Sequence, residues 1–166
     1  INEAAELVGF EKLMWGSDYP RTMTAITYKM SFDFIEKTYE RICQNDVNRQ
    51  LTPAEEWIYD NYYVIAENIE MCRYSYKRLP EILSKKKINS IYSHMTNIVK
   101  KNRGMIDDKK IIEYMLDLNK TAPLATKELG CIEETMRFAL IAQLSEVCVY
   151  TENVRQETQK AENLFG

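Results

Sequence analysis

What this chain has little of already narrows its chemistry. It carries a single histidine, His94, so no pair of imidazoles can form an HExxH or HxH metal site. Glycine (5) and proline (4) are scarce, as a mainly helical chain requires. No apolar run reaches the ~18 residues of a membrane span, and no basic leader precedes an apolar core. The four cysteines, Cys43, Cys72, Cys131 and Cys148, are widely spaced and none forms a CxxC. They read as small buried hydrophobes in a reducing compartment, which places the chain in the cytoplasm, rather than as a metal site. The glycine-rich phosphate loops, GxSxG elbow and DxD of other enzyme classes are missing as well. The chain begins at Ile1 rather than methionine, which reads as a fragment or processed product.

Present instead are 45% apolar and 28% charged residues over 166 positions, enough for one domain with a real core. The net charge of −3 conceals a division. Residues 51–72 hold five acids and no base, residues 73–110 eleven bases and three acids, and residues 111–166 nine acids and five bases. The basic middle reads as a solvated face paired with the acidic helices, with an anionic surface as the alternative. It is not interleaved with a nucleic-acid motif, so DNA and RNA are not expected partners.

Residues 51–79 organise the chain. Thr52 is a cap, Pro53 suits the first helical position, and Glu55 completes a capping-box pattern. Ile58, Tyr62, Ile65, Ile69, Cys72 and Tyr76 follow at steps of four and three, so they share one side of a helix. Trp57, Val64 and Met71 form a second row that is expected to widen the buried face. Pro80 is expected to end this helix near residue 78. Upstream, Met30, Phe34, Ile35, Tyr39 and Ile42 mark a helix over about 24–44. Downstream, a short turn and a basic loop at Lys85–Lys87 are expected before a helix over 88–101, closed by Asn102, Arg103 and Gly104. Asp107 or Asp108 caps a helix to about residue 119, with Ile111, Tyr114, Met115 and Leu118 as its buried side. A connector at 121–125 leads to one long helix over 126–160. Its expected apolar set is Leu129, Ile132, Met136, Leu140, Leu144, Val147 and Val154, with Ala139 and Cys148 between.

The segments LTPAEEWIYDNYYVIAENI, RLPEIL, IYSHMTNIVKKNRGMIDDKKIIEYMLDLNKTAPLATKEL and MRFALIAQLSEVC occur in that order. Over about residues 34–162 they resemble the N-terminal helical region of cyclic β-1,2-glucan synthases. Those are very large bacterial inner-membrane enzymes that polymerise glucose from UDP-glucose and close the chain into a ring. The resemblance implies a helical module beside a glycosyltransferase on the cytoplasmic side of the membrane, with other domains of a larger parent as partners. It carries no catalytic signature. The chain departs from the family at Lys87–Tyr92, which lacks a Gly-Pro-Arg step, and at Glu128–Glu133, which lacks a Trp and a Pro.

Residues 1–31 read differently: a short helix to about Gly9, an extended KLMW piece, and a GSDYPR turn. GFEKLMWGSDYPRT resembles the last strand and following loop of TIM-barrel metal-dependent amidohydrolases. In that family the aspartate matching Asp18 binds metal and activates water. A barrel needs ~200 residues or more, and the histidines that would complete the site are absent here.

The remaining candidates have ordinary explanations. Asp107–Asp108 reads as a cap, and Glu55–Glu56 and Glu133–Glu134 as surface charge near helix starts. His94 reads as a boundary packing residue. Tyr59, Tyr62, Tyr63, Tyr74 and Tyr76 could stack on sugar rings but read as packing. The expectation is an all-α fold: an irregular bundle of about five helices over 32–166 with a long C-terminal helix, and a short extended appendage over 1–31. Catalytic, cofactor and metal sites are expected to be none, and the function that of a non-catalytic helical module. A general helical interaction protein and a fragment of a metal-dependent hydrolase are the alternatives.

Overall fold

The computed structural model describes residues 23–44 and 51–165, and these are all-α. Six helices follow one another: α1 (Met23–Cys43), α2 (Pro53–Ile82), α3 (Lys85–Lys101), α4 (Asp108–Thr121), α5 (Thr126–Leu129) and α6 (Ile132–Phe165). The chain divides into two compact units, Ile1–Met30 and Ser31–Gly166. Helix α1 begins in the first, and the core and grooves described below belong to the second. The short helix, the KLMW piece and Asp18 lie outside the described residues.

Helix α2 starts as its sequence dictates. Glu55 N donates to Thr52 Oγ1 at 3.3 Å, and Thr52 N donates to Glu55 Oε2 at 2.9 Å, closing the capping box. Its far end differs from expectation, because Pro80 lies inside the helix rather than ending it. A proline three residues from the terminus removes only one helical donor. The buried side chains of Leu79 and Leu83 hold the last turn down, and Leu83 N still donates to Leu79 O at 3.0 Å. After so late a stop there is no room for a loop. Lys85–Lys87 form the exposed first turn of α3, not a basic loop.

Helix α3 ends as expected. Arg103 (φ 53°) and Gly104 (φ 76°) turn left-handed, and Gly104 N closes the helix on Val99 O at 2.9 Å. Asp107 caps α4 by accepting from Lys110 N at 2.8 Å. The long helix expected from residue 126 is interrupted. Glu128 Oε2 accepts from Ala125 N at 2.7 Å to start α5, and at Cys131 the backbone tightens. Cys131 N bonds Glu128 O, three residues back, at 3.1 Å, and α6 then runs from Ile132.

Helix α6 is the axis of the packing. Helices α2 and α3 lie along it, and α5 touches α3. Helix α1 joins through Phe32, whose ring centroid lies 6.4 Å from that of Phe138. The core combines Ile35 and Ile42 from α1, Ile58, Ile65, Ile69 and Cys72 from α2, and Ile91, Met95, Ile98 and Val99 from α3. Leu118 is the buried residue of α4, while Ile111, Tyr114 and Met115 are half-buried. Met30, expected in the α1 stripe, is exposed, and Phe32 takes the buried place.

The buried side of α6 is the main departure from the sequence reading. Cys131 just before it and Thr135, Met136, Phe138, Ala139, Ile141, Ser145, Cys148 and Thr151 along it face inward, of which Met136, Ala139 and Cys148 were expected there. Leu129 of α5 and Leu140, Val147 and Val154 of α6, all expected to be core, are each more than a third exposed. The threonines bury cheaply because each satisfies its own hydroxyl. Thr135 Oγ1 donates to Cys131 O at 2.8 Å and Thr151 Oγ1 to Val147 O at 2.9 Å. Thr38 on α1 does the same to Phe34 O, also at 2.9 Å.

Candidate functional site

Two grooves stand out on the helical unit. One, about 310 Å³, is apolar and lies between α4 and the α5 region, lined by Ile112, Met115, Leu116, Leu124 and Leu129 among others. The other, about 550 Å³, lies between α2 and α6 and has chemically varied walls. Glu70, Met71, Tyr74, Ser75 and Arg78 come from α2, and Glu133, Glu134 and Arg137 from α6.

The α2–α6 groove is positioned by charge pairs between antiparallel helices. Arg78 is ion-paired with Glu134. Arg137 Nε donates to Asn68 Oδ1 at 3.0 Å, and its Nη2 to Glu133 Oε1 at 2.6 Å. Farther along, Arg41 of α1 spans both helices, reaching Glu55 Oε1 at 2.9 Å and Glu152 Oε2 at 2.8 Å. Residues 78, 68 and 55 thus pair in sequence with residues 134, 137 and 152, so the helices run in opposite directions. Arg78 Nε and Glu134 Oε2 are buried here with no hydrogen-bond partner among the described residues.

The Arg41 cluster is structural. The Glu55 side chain is 1% exposed, so it is not the surface charge that its place at a helix start suggested. Burial pushes its carboxyl pKa up, but hydrogen bonds from Thr52 and Arg41 outweigh that and hold it below the usual range. Glu152 is likewise lowered, mainly by its bond from Arg155. Glu134 is also mostly covered, because Arg78 draws it into the groove wall.

The other sequence candidates separate. Tyr59 and Tyr62 stack on Tyr39 of α1, with centroids 6.1 Å and 3.5 Å away. Tyr63, Tyr74 and Tyr76 are exposed, and Tyr74 lines the groove. His94 Nδ1 lies 3.2 Å from Tyr114 Oη and ties α3 to α4, a packing role. Cys72, Cys131 and Cys148 are buried free thiols, and Cys43 is exposed. Burial pushes the Cys72 thiol up to about 12 and the Cys148 thiol up to about 11, so neither is a ready nucleophile. Among the described residues no group of three or more His, Cys, Asp or Glu is placed to hold a metal ion.

Trp57, Val64 and Met71 do not widen the buried face of α2. All three are exposed, Trp57 by 55%. Sequence reasoning missed this surface, and with it Asn68, Arg78, Glu134 and Arg137. Each is an ordinary helical polar residue until α2 and α6 are laid side by side. The available signal was the seven-residue spacing of the Trp57 row, offset from the main seam. No helix among the described residues is long and apolar enough to cross a membrane. No protein-family model, curated protein or solved structure matches this chain.

Proposed function

We propose that this chain is a non-catalytic helical module that supports a larger enzyme by packing against it. The resemblance of residues 34–162 makes that enzyme a cyclic β-1,2-glucan synthase, whose glycosyltransferase draws on UDP-glucose at the cytoplasmic side of the membrane. One observation carries the packing role. The two longest helices bury one face and leave large apolar side chains, among them Trp57, Met71, Leu140, Val147 and Tyr150, on the outside. Clustered exposed apolar surface of this kind belongs to proteins that are covered by something else. The reading of the chain as a general helical interaction module rests on the same observation, without the named parent. The hydrolase-fragment reading rests on Asp18, outside the described residues.

The test is to mix the purified chain with the glycosyltransferase region of a cyclic glucan synthase and measure association by sedimentation, with parallel calorimetric titrations of β-1,2-glucan and UDP-glucose. Association without binding of either carbohydrate supports a module that positions the enzyme. Tight binding of UDP-glucose by the isolated chain would overturn the non-catalytic reading. No association would remove the named parent.

A further inference from the structure

The α2–α6 groove is the start of something longer. Met71, in its α2 wall, is the last of the row Trp57, Val64, Met71. Glu133, in its α6 wall, stands one heptad before the row Leu140, Val147, Val154. A seven-residue step on an α-helix returns to nearly the same direction, drifting by roughly 20°. Each row therefore stays near its groove edge for three turns or more. Because the helices are antiparallel, the rows leave the groove in the same direction, one running down to residue 57 and the other up to residue 154. All six side chains are more than a third exposed. Two apolar rows of heptad spacing flanking a furrow between antiparallel helices are what a third helix needs as a seat.

The charge beside the rows says which helix. Glu56, Asp60 and Glu67 are exposed on α2, Glu70 is already paired with Arg73, and no base occurs between residues 51 and 72. We infer that the α2–α6 furrow is a docking surface for a basic amphipathic helix of a protein partner, its apolar stripe lying on the two rows and its lysines or arginines meeting the exposed α2 carboxylates. This rests on the reading of the chain as an interaction module and gives its partner a chemistry.

The chain's own segments do not fit that description. Residues 1–22 carry four acids against two bases. The lysine-rich helix α3 has already spent its apolar face, Ile91, Met95, Ile98 and Val99, in the core. A second copy meeting this surface symmetrically would set one acidic face against another.

The experiment uses the whole chain and two synthetic peptides of about 21 residues with the same leucine heptads, one with lysine at every other position and one with glutamate. Binding is followed by anisotropy of a dye on each peptide. The lysine peptide is expected to bind and the glutamate peptide not to. Val64→Asp on one row and Val147→Asp on the other should each weaken the lysine peptide by about tenfold or more. Ile112→Asp in the α4 groove should leave it unchanged. Raising salt to about 0.5 M should weaken binding, because the α2 carboxylates are exposed. Circular dichroism melts of the three variants guard against unfolding. Equal binding of both peptides, binding insensitive to either valine variant, or no binding would overturn the inference. Association with a glycosyltransferase region that ignores Val64→Asp would overturn it too, while leaving the proposed function standing.

Discussion

The two sides of α6 share apolar and hydroxyl residues more evenly than is usual. Its inner side buries Thr135, Ser145, Thr151 and Cys148 alongside Met136, Phe138, Ala139 and Ile141, and its outer side shows Leu140, Val147, Val154 and Tyr150 to solvent. Helix α2 divides more conventionally, with isoleucines inside, yet it too leaves Trp57, Val64 and Met71 outside. The contrast teaches that burial follows fit and hydrogen-bond satisfaction as much as hydrophobicity. A threonine that donates to its own helix carbonyl costs little in a core, and its small size lets neighbouring helices approach. An aliphatic row left outside is then free to face a partner.

The largest effect that sharpens this comparison is expected at the inner side's aromatic anchor. Phe138 is buried and paired with Phe32, so Phe138→Ala should cost ~3–5 kcal/mol, read as a fall in the denaturant midpoint. Next comes the charge cluster between α1, α2 and α6. Glu55→Gln keeps the shape but leaves Arg41 short of one carboxylate, and should cost ~1.5–3 kcal/mol at neutral pH.

The same cluster sets an acid limit. Glu55 and Glu152 have pKa values lowered from an ordinary 4.5 in the folded chain. Unfolding therefore takes up protons once the pH falls below that value. The stability they contribute is fully present above about pH 4.5 and is lost as the pH falls through their lower folded values. A pH series of thermal melts should show this loss, and Glu55→Gln should flatten part of it.

The smallest effects set the two sides of α6 directly against each other. Val147→Gln on the outer side should change stability by no more than about 0.5 kcal/mol. Thr135→Val on the inner side removes a hydroxyl that serves only its own helix, and should stay within about 1 kcal/mol. A large loss at Val147 would mean that the outer row is core after all.

Much of the fold was legible in the sequence, for physical reasons that can be named. The Thr52–Glu55 box, the isoleucine seam of α2, the Gly104 stop and the Asp107 cap are local devices, and each appears as read. The bounds that failed depend on distant partners. Pro80 stays helical because Leu79 and Leu83 are anchored in the core, and Lys85–Lys87 are helical because α3 follows at once. The rotation of α6 was partly hidden because Thr135, Ser145, Cys148 and Thr151 share its buried face with Met136, Phe138, Ala139 and Ile141, and periodic hydrophobicity does not mark the hydroxyl residues. The candidate groove was hidden for a related reason. Arg78 and Glu134 are 56 positions apart, and no local pattern joins them.

The most direct test of the account is thiol reactivity, because it asks which side of α6 is inside. The native chain should show one fast cysteine, Cys43, and three protected ones. In a Cys43→Ser background, Val147→Cys should restore a single fast thiol while Cys148, its immediate neighbour, stays protected. A slow cysteine at 147 beside a fast Cys148 would mean that α6 buries its aliphatic row, and the docking surface argued from it would not exist.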